Sequence, residues 1–254
     1  MKTYLKDNRG FTLVELAIVM IIIGLLIGGI LKGQELINNA EVSSTVSLIK
    51  SVDTAMGTFR DAYGAFPGDM DTPTVRIPDC TAAAAPACAQ AGNANGRIGD
   101  GPGNAHATIA NENGAAWAQM AAADVMGGVN STNPTATATG SLESLPEASL
   151  GGALQIGFHP GGALTSSALS SQSGHYVLLD ASGAAASSNA TGSLSQSDAA
   201  RLDRRMDDGL PNTGSVRAMG NNGANECFST ATAVGVYNEA QSSLLCGIYS
   251  RVQG

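Results

Sequence analysis

The sequence predicts an α+β fold: one long N-terminal helix leading into a loop-rich head built on an antiparallel β-sheet. Three observations carry that expectation. Residues 11–31 form an unbroken, almost wholly apolar run. A one-sided apolar stripe follows it at helical spacing. The strand candidates come late, and each is short with a glycine beside or within it.

The run at 11–31 is the first element. Its 21 residues meet the roughly 20 that a helix needs to cross a bilayer. Ahead of it lies a polar leader ending Arg9-Gly10, in which Lys2, Lys6 and Arg9 stand against Asp7. That positive flank predicts a cytoplasmic N-terminus and export of everything after Leu31. A secretory signal peptide is cut behind its apolar segment, at small residues. Here Lys32-Gly33-Gln34-Glu35 follows, so the junction suited to processing is the one in front, between Gly10 and Phe11. Inside the span sits one carboxylate, Glu15, with no Lys, Arg or His there to pair with it. An ionisable group in a membrane span is costly and is read as functional. Cleavage after Gly10 would create an α-amine about 6 Å along the helix axis from Glu15.

The helix is expected to continue past the membrane. Val46, Ile49, Val52, Met56, Phe59 and Tyr63 recur at intervals of three and four, while Lys50, Ser51, Thr54, Thr58 and Asp61 take the other faces. It should end near Ala62, because Gly64 can cap it and Pro67 blocks continuation. Residues 72–110, rich in Ala, Gly, Asn and Pro, read as loop. A second helix is expected over 112–126, burying Trp117, Met120 and Val125. The Ala/Ser/Thr/Gly tracts 130–140 and 181–197 read as exposed loops rather than core. Strands are expected at 153–158, 175–179, 233–237 and 244–249. A short helix at 198–206, capped by Ser197, precedes Asp207-Asp208-Gly209.

Charge and cysteines bound the partners and the compartment. The formal charge is −8, and removal of the +2 leader leaves −10. An acidic body gives no evident nucleic-acid partner, since phosphate binding needs a basic surface. Cys80, Cys88, Cys227 and Cys246 all lie on the expected exported side, where disulfides persist. Four cysteines allow three pairings. Cys80–Cys88 and Cys227–Cys246 are favoured because both close short local loops. Zinc is the alternative, but none of the spacings is C-x-x-C.

At its start the chain resembles a known family. The leader ending in Gly10, Phe11 after the junction, Glu15 as the fifth residue beyond it and Gly24 in mid-span are similar to the prepilin signature. Type IV pilins and the pseudopilins of type II secretion share that signature. The resemblance implies a pilin-like fold, with cleavage between Gly10 and Phe11 and N-methylation of Phe11 by prepilin peptidase. It also implies pairing of Glu15 with a neighbouring subunit's amine during assembly, and a C-terminal disulfide-bounded loop. The turn Phe66-Pro67-Gly68-Asp69 looks like that of a widespread subgroup of prepilin-type proteins. One departure is Lys32, which stands where many major pilins carry proline.

The expected organisation is therefore a leader (1–10), a transmembrane half-helix (11–31), an amphipathic half-helix (32–63) and an exported head (64–254). The expected function is a structural subunit of a type IV pilus-like filament. The alternatives are a pseudopilin of a type II secretion system, and a membrane-anchored binding or adhesion module that does not polymerise. Partners would be the peptidase, other pilin subunits, the inner membrane and the filament assembly machinery. The protein would sit in the inner membrane before assembly, then in a cell-surface or periplasmic filament.

No catalytic set emerges. His106, His159 and His175 lie in unrelated contexts, with no G-x-S-x-G, P-loop or H-E-x-x-H. Leu210-Pro211-Asn212-Thr213-Gly214 matches a cell-wall sorting signal, but no apolar span and basic tail follow it, so it reads as a turn. No organic cofactor is expected. Calcium is the candidate metal, at Asp203, Asp207 and Asp208, or at the oxygen-rich loop 93–101.

Overall fold

The computed structural model describes residues 12–81, 87–99, 112–129, 145–163, 170–180, 192–220, 226–229, 235–240 and 243–252. The chain divides into two compact units, Met1–Glu41 and Val42–Gly254.

In the first unit, helix α1 (Leu13–Tyr63, continuing into the second unit) is apolar on all sides, and Ile18, Ile22, Leu26 and Ile30 are all exposed. Its N-terminal part is long and apolar enough to cross a membrane. In the second unit the same helix becomes one-sided. Val42, Val46, Ile49, Val52, Met56 and Phe59 are buried, following the three-four spacing of the sequence. The helix stops where expected. Gly64 adopts φ +67° and donates its N–H to the Arg60 carbonyl at 2.7 Å, and the Arg76 guanidinium donates to the carbonyl of Tyr63.

A single turn of helix, α2 (Pro73–Arg76), interrupts the expected loop, with proline at its start. Helix α3 (Glu112–Ala122) is shorter than the expected 112–126, because the chain turns at Ala123-Asp124, where Asp124 takes φ +54°. Trp117 and Met120 are buried as the pattern requires, and Val125 packs half-buried beyond the helix end.

The main sheet is antiparallel. Strand β1 (Ala153–His159) precedes the small pair β2 (Gly162–Ala163) and β3 (Ser170–Ser171). Strand β4 (Gly174–Asp180) pairs with β1 from Ala153↔Asp180 to His159↔Gly174. Strand β5 (Leu194–Ser195) runs straight into α4 (Gln196–Met206). Next come β6 (Val216–Met219), the small pair β7 (Phe228–Ser229) and β8 (Val236–Tyr237), and the long C-terminal β9 (Leu244–Arg251). Strand β9 pairs with β4, β5 and β6, so the last strand of the chain ties the sheet together. Residues of α1, β1, β4, β9, α3 and α4 share one apolar core, in which Met56, Trp117, Ile156, Val177 and Ile248 are at most 2 % exposed.

Two further expectations need correction. The tract 181–197 is not loop throughout: Leu194 is 1 % exposed and pairs with Cys246, and a Cβ on Gly192 would run into the backbone amide of Cys246. The cap of α4 is Ser195 rather than Ser197. The Ser195 hydroxyl accepts the Asp198 N–H at 3.1 Å and donates to the Asp198 carboxylate at 2.6 Å, a reciprocal arrangement that starts the helix at Gln196. The strand expected at 233–237 is described only as Val236–Tyr237, since residues 231–234 lie outside the described residues.

Candidate functional site

The start of α1 carries the first candidate site. Gly10 and Phe11, the expected processing pair, lie outside the described residues. Thr12 and Glu15 form a closed reciprocal cap. Glu15 Oε2 accepts the Thr12 N–H at 2.9 Å and the Thr12 hydroxyl at 2.8 Å, while the Glu15 N–H donates back to the Thr12 hydroxyl oxygen at 3.2 Å. The cap satisfies amides that a helix start leaves open, which matters most where no water can replace it. All of the bonding falls on Oε2. Among the described residues nothing donates to Oε1, and the carboxylate sits on an exposed apolar helix. Sequence reasoning singled out Glu15 and missed Thr12. The signal was present as Thr-x-x-Glu at the head of an apolar run.

In the head, Cys80 is bonded to Cys88 and Cys227 to Cys246, and all four are buried. The second bond closes the segment holding β7 and β8 onto the final strand.

Asp203, Asp207 and Asp208 do come together, with oxygens within 4.8 Å of one another. Most of those oxygens serve the turn after α4. Asp203 accepts the Gly209 N–H at 3.1 Å and the Tyr237 hydroxyl at 2.8 Å. Asp207 Oδ2 accepts the N–H groups of Ser215 and Val216, and Asp208 accepts the Leu210 N–H at 2.9 Å and the Thr213 hydroxyl at 2.5 Å. The nearby Arg204 guanidinium pairs instead with Glu239. Burial pushes the Asp203 carboxyl up to about 7 against the pull of Tyr237 and Gly209, and the charges of Asp208 and Asp207 add to the rise. Leu210–Gly214 is a turn here, with the Ala218 N–H bonded to the Pro211 carbonyl.

The oxygen-rich loop at 93–99 is held from outside by two buried carboxylates. Asp69 accepts the N–H groups of Asn95 (2.9 Å) and Gly96 (2.7 Å). Glu112 accepts those of Asn93 (2.9 Å) and Gly99 (2.8 Å). Residues 100 and 101, the rest of the expected metal loop, lie outside the described residues, as does His106. Glu112→Gln replaces one acceptor oxygen with an NH2 group facing an N–H donor. A buried donor left without an acceptor costs about 1–3 kcal/mol. Thermal unfolding should show that loss, and trypsin should cut faster at the exposed Arg97.

His159 and His175 lie on the paired strands β1 and β4. The His159 Nδ1 accepts the Gly161 N–H at 3.0 Å, and burial lowers this ring's pKa.

Comparison with known proteins addresses the start of the chain. Residues 5–31 match the family described as the prokaryotic N-terminal methylation motif. The chain carries the signature of type IV pilins and pseudopilins. The matched stretch contains Gly10, Phe11, Thr12 and Glu15 and reaches the end of the apolar run. No curated protein and no solved structure matches the chain. The signature thus sits on the apolar start of α1, and an α+β head with an antiparallel sheet follows it.

Proposed function

We propose that this protein is a structural subunit of a type IV pilus-like filament rather than an enzyme. Prepilin peptidase removes residues 1–10 and methylates the Phe11 amine. Residues 11–31 hold the subunit in the inner membrane, with its N-terminus cytoplasmic and residues 64–254 exported. Assembly machinery then draws the helix out of the bilayer and bundles it with those of other subunits. The observation that carries this reading is the methylation motif lying on a helix whose Glu15 is half satisfied. Thr12 holds Oε2 and leaves Oε1 for a neighbour's amine. Thr12 also fixes the rotamer of the carboxylate, so it acts as a positioning residue for Glu15.

The test is the intact mass of protein extracted from membranes. The mature chain should lack residues 1–10 and carry one extra methyl group on Phe11. Gly10→Val should leave uncut precursor in the membrane, because the side chain added before the cut crowds a peptidase site that needs a small residue there. A mature chain that retains Met1, or begins elsewhere, removes the basis of the reading. A pseudopilin would undergo the same processing and differ in destination. Sheared surface fibres support the pilus, and confinement to the periplasm supports the secretion machine.

A further inference from the structure

At the end of α1, five side chains from separate segments stack in a column. The Arg60 Cζ lies 5.3 Å from the centre of the Phe66 ring, and Phe66 lies 4.0 Å from the His175 ring. On the other side, His175 meets its cross-strand partner Phe158 edge-on at 5.3 Å, and the Arg97 Cζ sits 4.8 Å over Phe158. His175 is only 9 % exposed, and its Nε2 has no hydrogen-bond partner.

A neutral imidazole tolerates this place, because it fills the sandwich as an aromatic disc. An imidazolium does not. Its second N–H would be buried without an acceptor, and the charge that acts on the ring, that of Arg60, is positive. Helix α1 brings Arg60 and the 93–99 loop brings Arg97. Strand β9 brings Arg251, which passes close to Gly174 and donates to Gln172 and Ser173. Strand β1 contributes Phe158 and, next to it, His159. No carboxylate among the described residues bonds to the ring. Burial lowers the His175 pKa to about 4, and the Arg60 charge adds to the fall.

We propose that His175 is an acid-sensitive lock on the turn that ends α1: when its ring takes up a proton, Phe66 parts from the sheet and residues 64–69 come free. The turn is placed to pass that change on. The Gly68 N–H bonds to the Gln119 side chain at 2.7 Å, and Asp69 holds the backbone of Asn95 and Gly96. The sign follows from linkage. A ring with the ordinary pKa of about 6.5 when open, and a depressed one when closed, favours the closed state fully above pH 6.5. Opening then gains roughly tenfold per pH unit as the pH falls from 6.5 toward 4, and gains nothing further below that. This inference stands whether or not the subunit polymerises.

The experiment uses the whole mature protein in detergent micelles. The C2 protons of the three histidine rings are followed by NMR and assigned with His106→Gln and His159→Gln. Hydrogen exchange of residues 60–76, corrected for the intrinsic pH dependence of amide exchange, is measured over the same range. The expected result is a His175 ring that resists protonation well below pH 6.5. Protection at 64–69 should fall about tenfold per unit of acidification. His175→Phe keeps the stack without the proton site and should hold its protection at low pH. Titration of His175 near 6.5, or protection unchanged by acid, overturns the proposal. So does a His175→Phe variant that opens with acid as the native chain does. Should that variant fail to fold, the native titration and exchange data decide alone.

Discussion

Replacing Cys227 and Cys246 together with alanine is expected to lower the unfolding temperature of the head by roughly 6–12 °C. The bond joins residues 19 apart, and closing a loop of that size contributes about 3 kcal/mol in the chain-entropy model. For a unit of this size, each kcal/mol shifts the midpoint by roughly 2–4 °C. What the bond holds makes the effect visible. It fastens β7 and β8 to β9, and β9 is the strand on which β4, β5 and β6 all pair. Without it, Tyr237 on Asp203 and the Arg204–Glu239 pair remain as anchors. That pair is half exposed, so it contributes little by itself. Cys80–Cys88 closes only 8 residues, and its removal should cost less. Calorimetry of the native and double-alanine proteins under non-reducing conditions checks both. An unchanged midpoint for Cys227→Ala/Cys246→Ala would mean that this loop adds nothing to the head's stability.

What could be read from the sequence was whatever had local causes. The stripe from Val46 to Phe59 needs only the helical period, and Gly64 with Pro67 only the geometry of a cap, so α1 was legible almost to the residue. Strands β1, β4 and β9 each carry enough apolar residues to stand out from the small polar tracts around them. Strand β6 was missed because four residues after a turn are too few for a period to declare itself, and here Val216, Ala218 and Met219 are all buried with only Arg217 half-exposed. Strand β5 was missed for another reason. Leu194 looks like part of a small polar tract, and only its pairing with Cys246 makes it core.

The candidate sites divide in the same way. Glu15 stood out because a carboxylate in an apolar run breaks a local rule. Its partner Thr12, three residues away, was missed although Thr-x-x-Glu is a local capping-box signal. The clamp of Asp69 and Glu112 on the 93–99 loop was not legible, since Asp69 reaches Asn95 and Gly96 across 26 and 27 residues. The Arg60-to-Arg97 column draws on five separate segments, which no single sequence window contains.

Glu15→Val is expected to leave the subunit inserted and cleaved but to keep it out of the filament. Valine suits an exposed apolar helix face better than a carboxylate does, so membrane levels should hold or rise. Assembly is different. A charge pair in an apolar bundle is best attested as a device for register, and removing one partner leaves the other charge buried alone. In the proposed filament that stranded charge is the neighbour's Phe11 amine, so incorporation should drop by more than about tenfold. Glu15→Gln separates the two roles of this side chain. The amide keeps an oxygen that can accept from the Thr12 N–H and hydroxyl, so the cap survives while the charge is lost. If pairing with the amine matters, Glu15→Gln fails as Glu15→Val does. If the cap is the whole role, Glu15→Gln assembles normally, while Glu15→Val and Thr12→Val both fail. Sheared fibres or co-purified filament, compared with the membrane pool, give the ratio for each variant. Normal assembly of Glu15→Val would sink the pairing role and favour a membrane-anchored module that never polymerises.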